Sequence, residues 1–116
     1  GEFATLDLND KIAFWGEEIF IAAKAWTNGF DLLVPSKQPI FHLYYDHNHP
    51  RQRSNRRHIW KDFPEQFAVM DEESRKEIEN IFVTARVGKE ALGDARTLDD
   101  FGIYAGLDFK KRRLVM

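Results

Sequence analysis

The chain has 116 residues, enough for one modest hydrophobic core, and a formal net charge of -2. It has no cysteine, which excludes a disulfide framework, cysteine-zinc sites and thiol catalysis. The near-neutral balance gives no global attraction to nucleic acid or acidic membranes, and no apolar run approaches the ~20 residues of a membrane span.

In chain order, residues 1–3 read as a cloning remnant and residues 4–116 as a single domain. Residues 4–13 are a lead-in, a strand or a short turn. Within it, Asp7-Leu8-Asn9-Asp10 carries turn or helix-capping chemistry. From Glu17 to Asn28 the spacing of Ile19, Phe20, Ala22, Ala23 and Trp26 predicts a helix with one broad apolar face. Gly16 precedes it and Gly29 follows as its stop. Phe30 to Val34 reads as a short strand ended by Pro35, and Ile40 to Tyr45 as a second strand after a turn. Asp46 to Asn55 has no apolar period and reads as an exposed loop. Arg56 to Phe63 is basic and aromatic, and Pro64 interrupts it. A second helix is predicted from about Asp71 to Val87, capped near Asp71, with Ile78, Ile81, Phe82 and Ala85 as its buried stripe and Gly88 as its end. A third, short helix follows Thr97. Thr97-Leu98-Asp99-Asp100 is a capping box with Asp in place of Glu, Phe101 and Tyr104 face the core, and Gly106 is the stop. Lys110 to Arg113 is a basic tail. The fold class expected is α/β or α+β, with short strands packed against two main helices.

Several residues could carry chemistry. Glu17 and Glu18 are adjacent carboxylates behind a Trp-Gly turn. They are either first-turn acids stabilised by the helix dipole or a pair that handles an acceptor proton. Trp15 beside them could stack on a hexose, whereas Trp26 on the apolar helical face belongs to the core. His42 lies on a strand, as either a backbone-bonded core histidine or a nitrogen ligand. His47 and His49 are incidental residues of an exposed loop. Arg51, Arg53, Arg56 and Arg57, with Tyr44, Tyr45 and Trp60, form a basic and aromatic patch. It is either a solvated loop or a phosphate or nucleic-acid contact. The overall charge argues against the nucleic-acid reading.

Four segments carry a resemblance when taken together. They are Phe14-Trp15-Gly16-Glu17-Glu18; Trp26-Thr27-Asn28-Gly29-Phe30-Asp31; Pro35 with His42-Leu43-Tyr44; and Gly93-Asp94-Ala95-Arg96-Thr97-Leu98-Asp99-Asp100-Phe101 with Ala105-Gly106-Leu107-Asp108. In order and spacing, from about Phe14 to Asp108, they resemble the C-terminal half of a GT-A glycosyltransferase of the family that transfers N-acetylglucosamine to protein hydroxyls. Phe30 stands where that family usually has Tyr, and the His-Asn-His-Pro loop departs from its pattern. No Asp-x-Asp follows an apolar strand.

The resemblance implies a partial GT-A-like domain, the acceptor-side half of an enzyme that moves a sugar from a nucleotide-sugar donor to a protein or glycan hydroxyl. Glu18 would be the acceptor-side acid and Glu17 would hold the geometry. Trp15, Gly16, Tyr44 and Arg96 would contact substrate, Arg96 also being suited to a structural ion pair. His42 would complete a site for manganese or magnesium in the intact enzyme. With the Asp-x-Asp half expected upstream, the isolated chain is expected to be inactive and to bind no metal tightly. It would pair with the upstream half or self-associate, in the cytoplasm and away from membranes. Two other readings stand beside this one: a non-catalytic interaction or oligomerisation domain, and a nucleic-acid-binding module built on the arginine-rich loop.

Overall fold

The computed structural model describes residues 6–41 and 58–115. Among these, four helices and one two-stranded antiparallel sheet make an α+β fold. In chain order they are α1 (Glu17–Thr27), α2 (Ile59–Asp62), α3 (Pro64–Thr84), α4 (Leu98–Ala105), β1 (Leu107–Asp108) and β2 (Arg113–Leu114). No helix among the described residues is long and apolar enough to cross a membrane.

The lead-in is a turn built by Asn9. Its side-chain oxygen accepts from Lys11 N, and its amide donates to Glu77 Oε1 at 2.7 Å and to the Glu90 carbonyl at 2.9 Å. One short, buried polar side chain thus joins the N-terminal turn, α3 and the loop after it, with both its oxygen and its amide hydrogen-bonded.

α1 forms where the apolar spacing predicts it. Phe20 and Ala23 are buried, and Ile19, Ala22 and Trp26 pack against the core they help to make. Lys24 is also buried, only 3% exposed, and its ammonium donates to the Lys89 carbonyl of the loop after α3. The helix ends at Thr27, with Asn28 and then Gly29 at φ 91° carrying the chain away.

α3 is longer at its start and shorter at its end than the sequence suggests. Pro64 follows the break after α2, as the sequence suggests, and it also opens α3. A first-turn residue needs no backbone N–H partner, and the proline ring presets φ. Asp71 therefore lies inside the helix, paired with Arg75 one turn on at 2.8 Å. The helix stops at Thr84 because Ala85 turns left-handed at φ 48°, and the N–H groups of Ala85 and Arg86 both return to the Ile81 carbonyl. Ala85 is consequently exposed, not part of the buried stripe. Ile81 and Phe82 are buried as expected.

α4 starts with the capping box read from the sequence. Thr97 Oγ1 accepts from Asp100 N at 3.0 Å, and Asp100 Oδ2 accepts from Thr97 N at 3.0 Å. Gly106 at φ 68° ends it. Phe101 is buried. Tyr104 is not: its ring is half-exposed, stacked on Trp26 with centroids 4.3 Å apart, and its hydroxyl donates to the Leu32 carbonyl.

The strands are the main difference from expectation. Residues 30–34 form no strand, nor do Ile40 and Phe41; the rest of the second expected strand, 42–45, lies outside the described residues. The reason is local competition for acceptors. Arg96 donates to the carbonyls of Gly29 and Phe30, and Tyr104 donates to that of Leu32, so side chains take the places a neighbouring strand would fill. Beyond Leu32 the chain leaves the core, and Leu33 and Val34 are 87% and 93% exposed. The strands that form among the described residues bracket the expected basic tail, with Leu107 opposite Leu114 and Asp108 opposite Arg113.

Candidate functional site

The site is built on the turn before α1. Phe14 sits at φ 67° and Gly16 at φ 79°. A left-handed conformation suits glycine but strains a bulky aromatic residue. Ser74, fully buried on α3, holds this turn from below: it accepts from Ala13 N at 3.0 Å and donates to the Trp15 carbonyl at 3.3 Å. A side chain at Gly16 would be strained by its positive φ and would have to displace Cδ1 of Ile78.

The turn pushes its aromatic side chains outward. Phe14 packs against Trp60, with ring centroids 5.1 Å apart, and against Trp15 and Phe67 at 5.7 Å each. Trp15 itself is 51% exposed, with the Arg75 guanidinium 5.6 Å from its ring centre.

Trp15 and Gly16 form one wall of a cavity of about 560 Å³. α3 supplies a second wall through Arg75, Ile78, Glu79, Phe82 and Val83. Those positions are i, i+3, i+4, i+7 and i+8, one face of a helix. The β1–β2 hairpin closes the third side with Leu107, Asp108, Phe109, Arg112, Arg113 and Leu114, and Ile19 completes the lining.

Ionic groups ring the opening in pairs. Arg75 meets Asp71, Arg112 meets Glu79, and Arg113 Nε lies 3.8 Å from Asp108 Oδ2. The Lys111 N–H donates to Asp108 and, with the Lys111 and Arg113 cations, holds its carboxyl below the ordinary aspartate range. Asp108 is therefore an ionised acceptor at neutral pH, better suited to orienting a hydroxyl than to removing its proton.

The residues singled out in the sequence fall into three groups. Trp15 and Gly16 line the cavity, and Glu17 and Glu18 follow directly in the first turn of α1, exposed to solvent. Arg96 stands apart, at the other end of α1, about 16 Å along an eleven-residue helix. There it pairs with Asp31 at 2.8 Å, lies 4.5 Å from the Trp26 ring centre, and bonds two carbonyls, which is the structural ion pair. His42 and Tyr44 lie outside the described residues, as do His47, His49 and the four loop arginines. Among the described residues no three histidine, aspartate or glutamate side chains converge on a point, so these residues do not by themselves fit a divalent-cation site.

Sequence reasoning missed Arg75, Glu79 and Asp108. The first two were legible in principle, because they flank Ile78 and Phe82 at helical spacing. Asp108 stands in the Ala105-Gly106-Leu107-Asp108 segment but had no apparent partner, since its wall is made by a hairpin the sequence did not suggest.

No match was found among curated proteins or among solved structures. A family model described as Glycosyltransferase (GlcNAc) matches residues 10–111, a span that takes in the Trp-Gly-Glu-Glu turn, all four helices and β1. The chain belongs to the glycosyltransferase (GlcNAc) family.

Proposed function

We propose that this chain is the acceptor-side part of a GT-A glycosyltransferase that moves N-acetylglucosamine, or a related sugar, from a nucleotide sugar to a hydroxyl. The observation that carries the reading is the placement of Trp15 and Gly16 on the cavity wall directly ahead of Glu17 and Glu18. Family membership supports the reaction class, and this placement supports the assignment of the pair.

The chemistry asked of the site is simple. An acceptor oxygen forms a bond to the anomeric carbon while the bond from that carbon to the nucleotide diphosphate breaks. The hydroxyl proton goes to a carboxylate, and the diphosphate leaves with the bonding electrons. Glu18 is assigned the acceptor proton and Glu17 the geometry of the turn. Both lie in the first turn of α1, directly after the turn that carries Trp15. Trp15 contributes an apolar face to the bound sugar. Tyr44 is assigned to substrate contact. Manganese or magnesium in the intact enzyme is assigned ligands beyond the described residues, His42 among them. The chain alone is proposed to be inactive, completed by an upstream half or by self-association.

The test is transfer from UDP-N-acetylglucosamine by the full protein, with Glu18→Gln and Glu17→Gln compared. Glu18→Gln is expected to lower kcat by roughly 10²–10⁴-fold with little change in donor KM. Glu17→Gln is expected to change less. Full activity in both variants would reduce the pair to ordinary helix-start acids.

A further inference from the structure

The segment that follows α1 has the pattern of a strand that lacks its neighbour. From Phe30 to Val34 it runs without a turn or bend. Phe30 and Leu32 are half-buried while Asp31 and Leu33 are exposed, the period-two alternation of an extended chain. Backbone groups alternate between the two edges of such a segment in the same way. On one edge Phe30 N donates to the Ala25 carbonyl, the Phe30 carbonyl accepts from Arg96, and the Leu32 carbonyl accepts from the Tyr104 hydroxyl. These bonds to α1, to α4 and to the loop before α4 hold the segment at the surface. On the other edge the backbone groups of Asp31 and Leu33 have no hydrogen-bond partner among the described residues.

The side chains say what kind of neighbour fits. Leu33 and Val34 are consecutive, so in an extended chain they point to opposite faces, and both are exposed. Apolar residues on both faces mark a strand inside a sheet that is covered on both sides. A second copy of this chain fits poorly. Pro35 has no N–H to give, which shortens the open edge to Asp31 and Leu33. Two such short edges paired alone are marginal, and they leave Leu33 and Val34 without a covering layer. A strand that arrives as part of a layered sheet supplies both the backbone partners and the cover.

We propose that residues 30–34 are a docking strand, and that the occupant of their open edge is an apolar strand of a sheet covered on both faces, carried by the donor-side half of the enzyme. The identity of that half rests on the transferase reading above; the open edge does not.

The experiment is amide hydrogen exchange, resolved to single residues by mass spectrometry, on the 116-residue chain and on the full protein. In the 116-residue chain the Asp31 and Leu33 amides are expected to exchange freely. In the full protein both are expected to slow by about a hundredfold or more. The Phe30 amide, bonded to Ala25 in either case, is the internal reference. Leu33→Lys adds a second readout. It is expected to leave the melting temperature of the 116-residue chain within about a degree and to lower that of the full protein by several degrees. Free exchange of both amides in the full protein overturns the inference, as does an equal effect of Leu33→Lys in the two proteins. Protection that appears in the 116-residue chain and rises with its concentration assigns the edge to a second copy, and also overturns it. A full protein that transfers sugar while both amides exchange freely sinks the inference and leaves the transferase standing. Protected amides in a full protein that turns over no nucleotide sugar do the reverse.

Discussion

The hydroxyl of Thr27 accepts a hydrogen bond from Gly93 N at 2.8 Å while donating its own proton to the Ala23 carbonyl, also at 2.8 Å. Thr27 is completely buried, and its own carbonyl takes the N–H groups of Ala95 and Arg96. One residue thus fastens the end of α1 to the loop that leads into α4. Gly93 is required opposite it, because a methyl there would come within 2.6 Å of the Thr27 carbonyl oxygen.

Thr27→Val keeps the shape and deletes the hydroxyl. It strands the half-buried Gly93 N–H and is expected to destabilise by about 2 kcal/mol. Thr27→Ser keeps both bonds and should lose well under half of that. Urea unfolding of the three proteins measures the difference.

Arg96 offers a second test at the same end of α1. Its planar guanidinium reaches two carbonyls, one carboxylate and the Trp26 face at once. An ammonium cannot reproduce that fork. Arg96→Lys is expected to cost about 1 kcal/mol and to lower the melting temperature by a few degrees, read by calorimetry.

Much of this framework was open to sequence reasoning, and the rest was hidden for identifiable reasons. α1 and α4 were legible because their signals are local: apolar spacing around Phe20 and Ala23, a Thr97–Asp100 capping box, and glycines at the ends. Residues 64–70 of α3 were missed because a proline that breaks one segment can also take the first position of the next helix. The strand expected at residues 30–34 had the right composition, but the side chains that satisfy its carbonyls come from Arg96 and Tyr104, more than sixty residues later. Trp15 and Gly16 could be assigned to a site from their order in the chain. Asp108 and Glu79 could not be joined to it, because they meet only through the fold.

Acid should loosen the molecule through Glu77. The hydrogen bond from Arg86, with a further one from Asn9, holds its carboxyl below the ordinary glutamate range. A carboxyl depressed in the folded state contributes stability that is complete above its unfolded pKa and disappears as pH falls through the folded value. Glu77→Gln is expected to cost about 1 kcal/mol at neutral pH. It should also flatten the decline below pH 4.5, followed by urea midpoints across that range. Asp100 and Asp108, shifted the same way, leave part of the decline in place.

Lys24 predicts the opposite limb. Burial lowers its pKa, with Asp7 and Glu90 opposing that shift. The unfolded chain therefore holds this proton up to about 10.5 while the folded chain releases it sooner, so stability rises with pH in the window just below 10.5. Lys24→Met should remove that rise relative to the parent, in denaturation midpoints taken at increasing alkaline pH.

The exposed leg from Leu33 to Phe41 also bears on how the protein behaves at high concentration. Leu33, Val34, Ile40 and Phe41 all lie open to solvent, a composition prone to recruiting other chains into shared sheets. Pro35 and Pro39 sit between the two apolar pairs, and neither can donate a backbone N–H. They are placed as gatekeepers against aggregation, so replacing either with a β-branched residue is expected to raise self-association, read by light scattering, while leaving the folded core untouched.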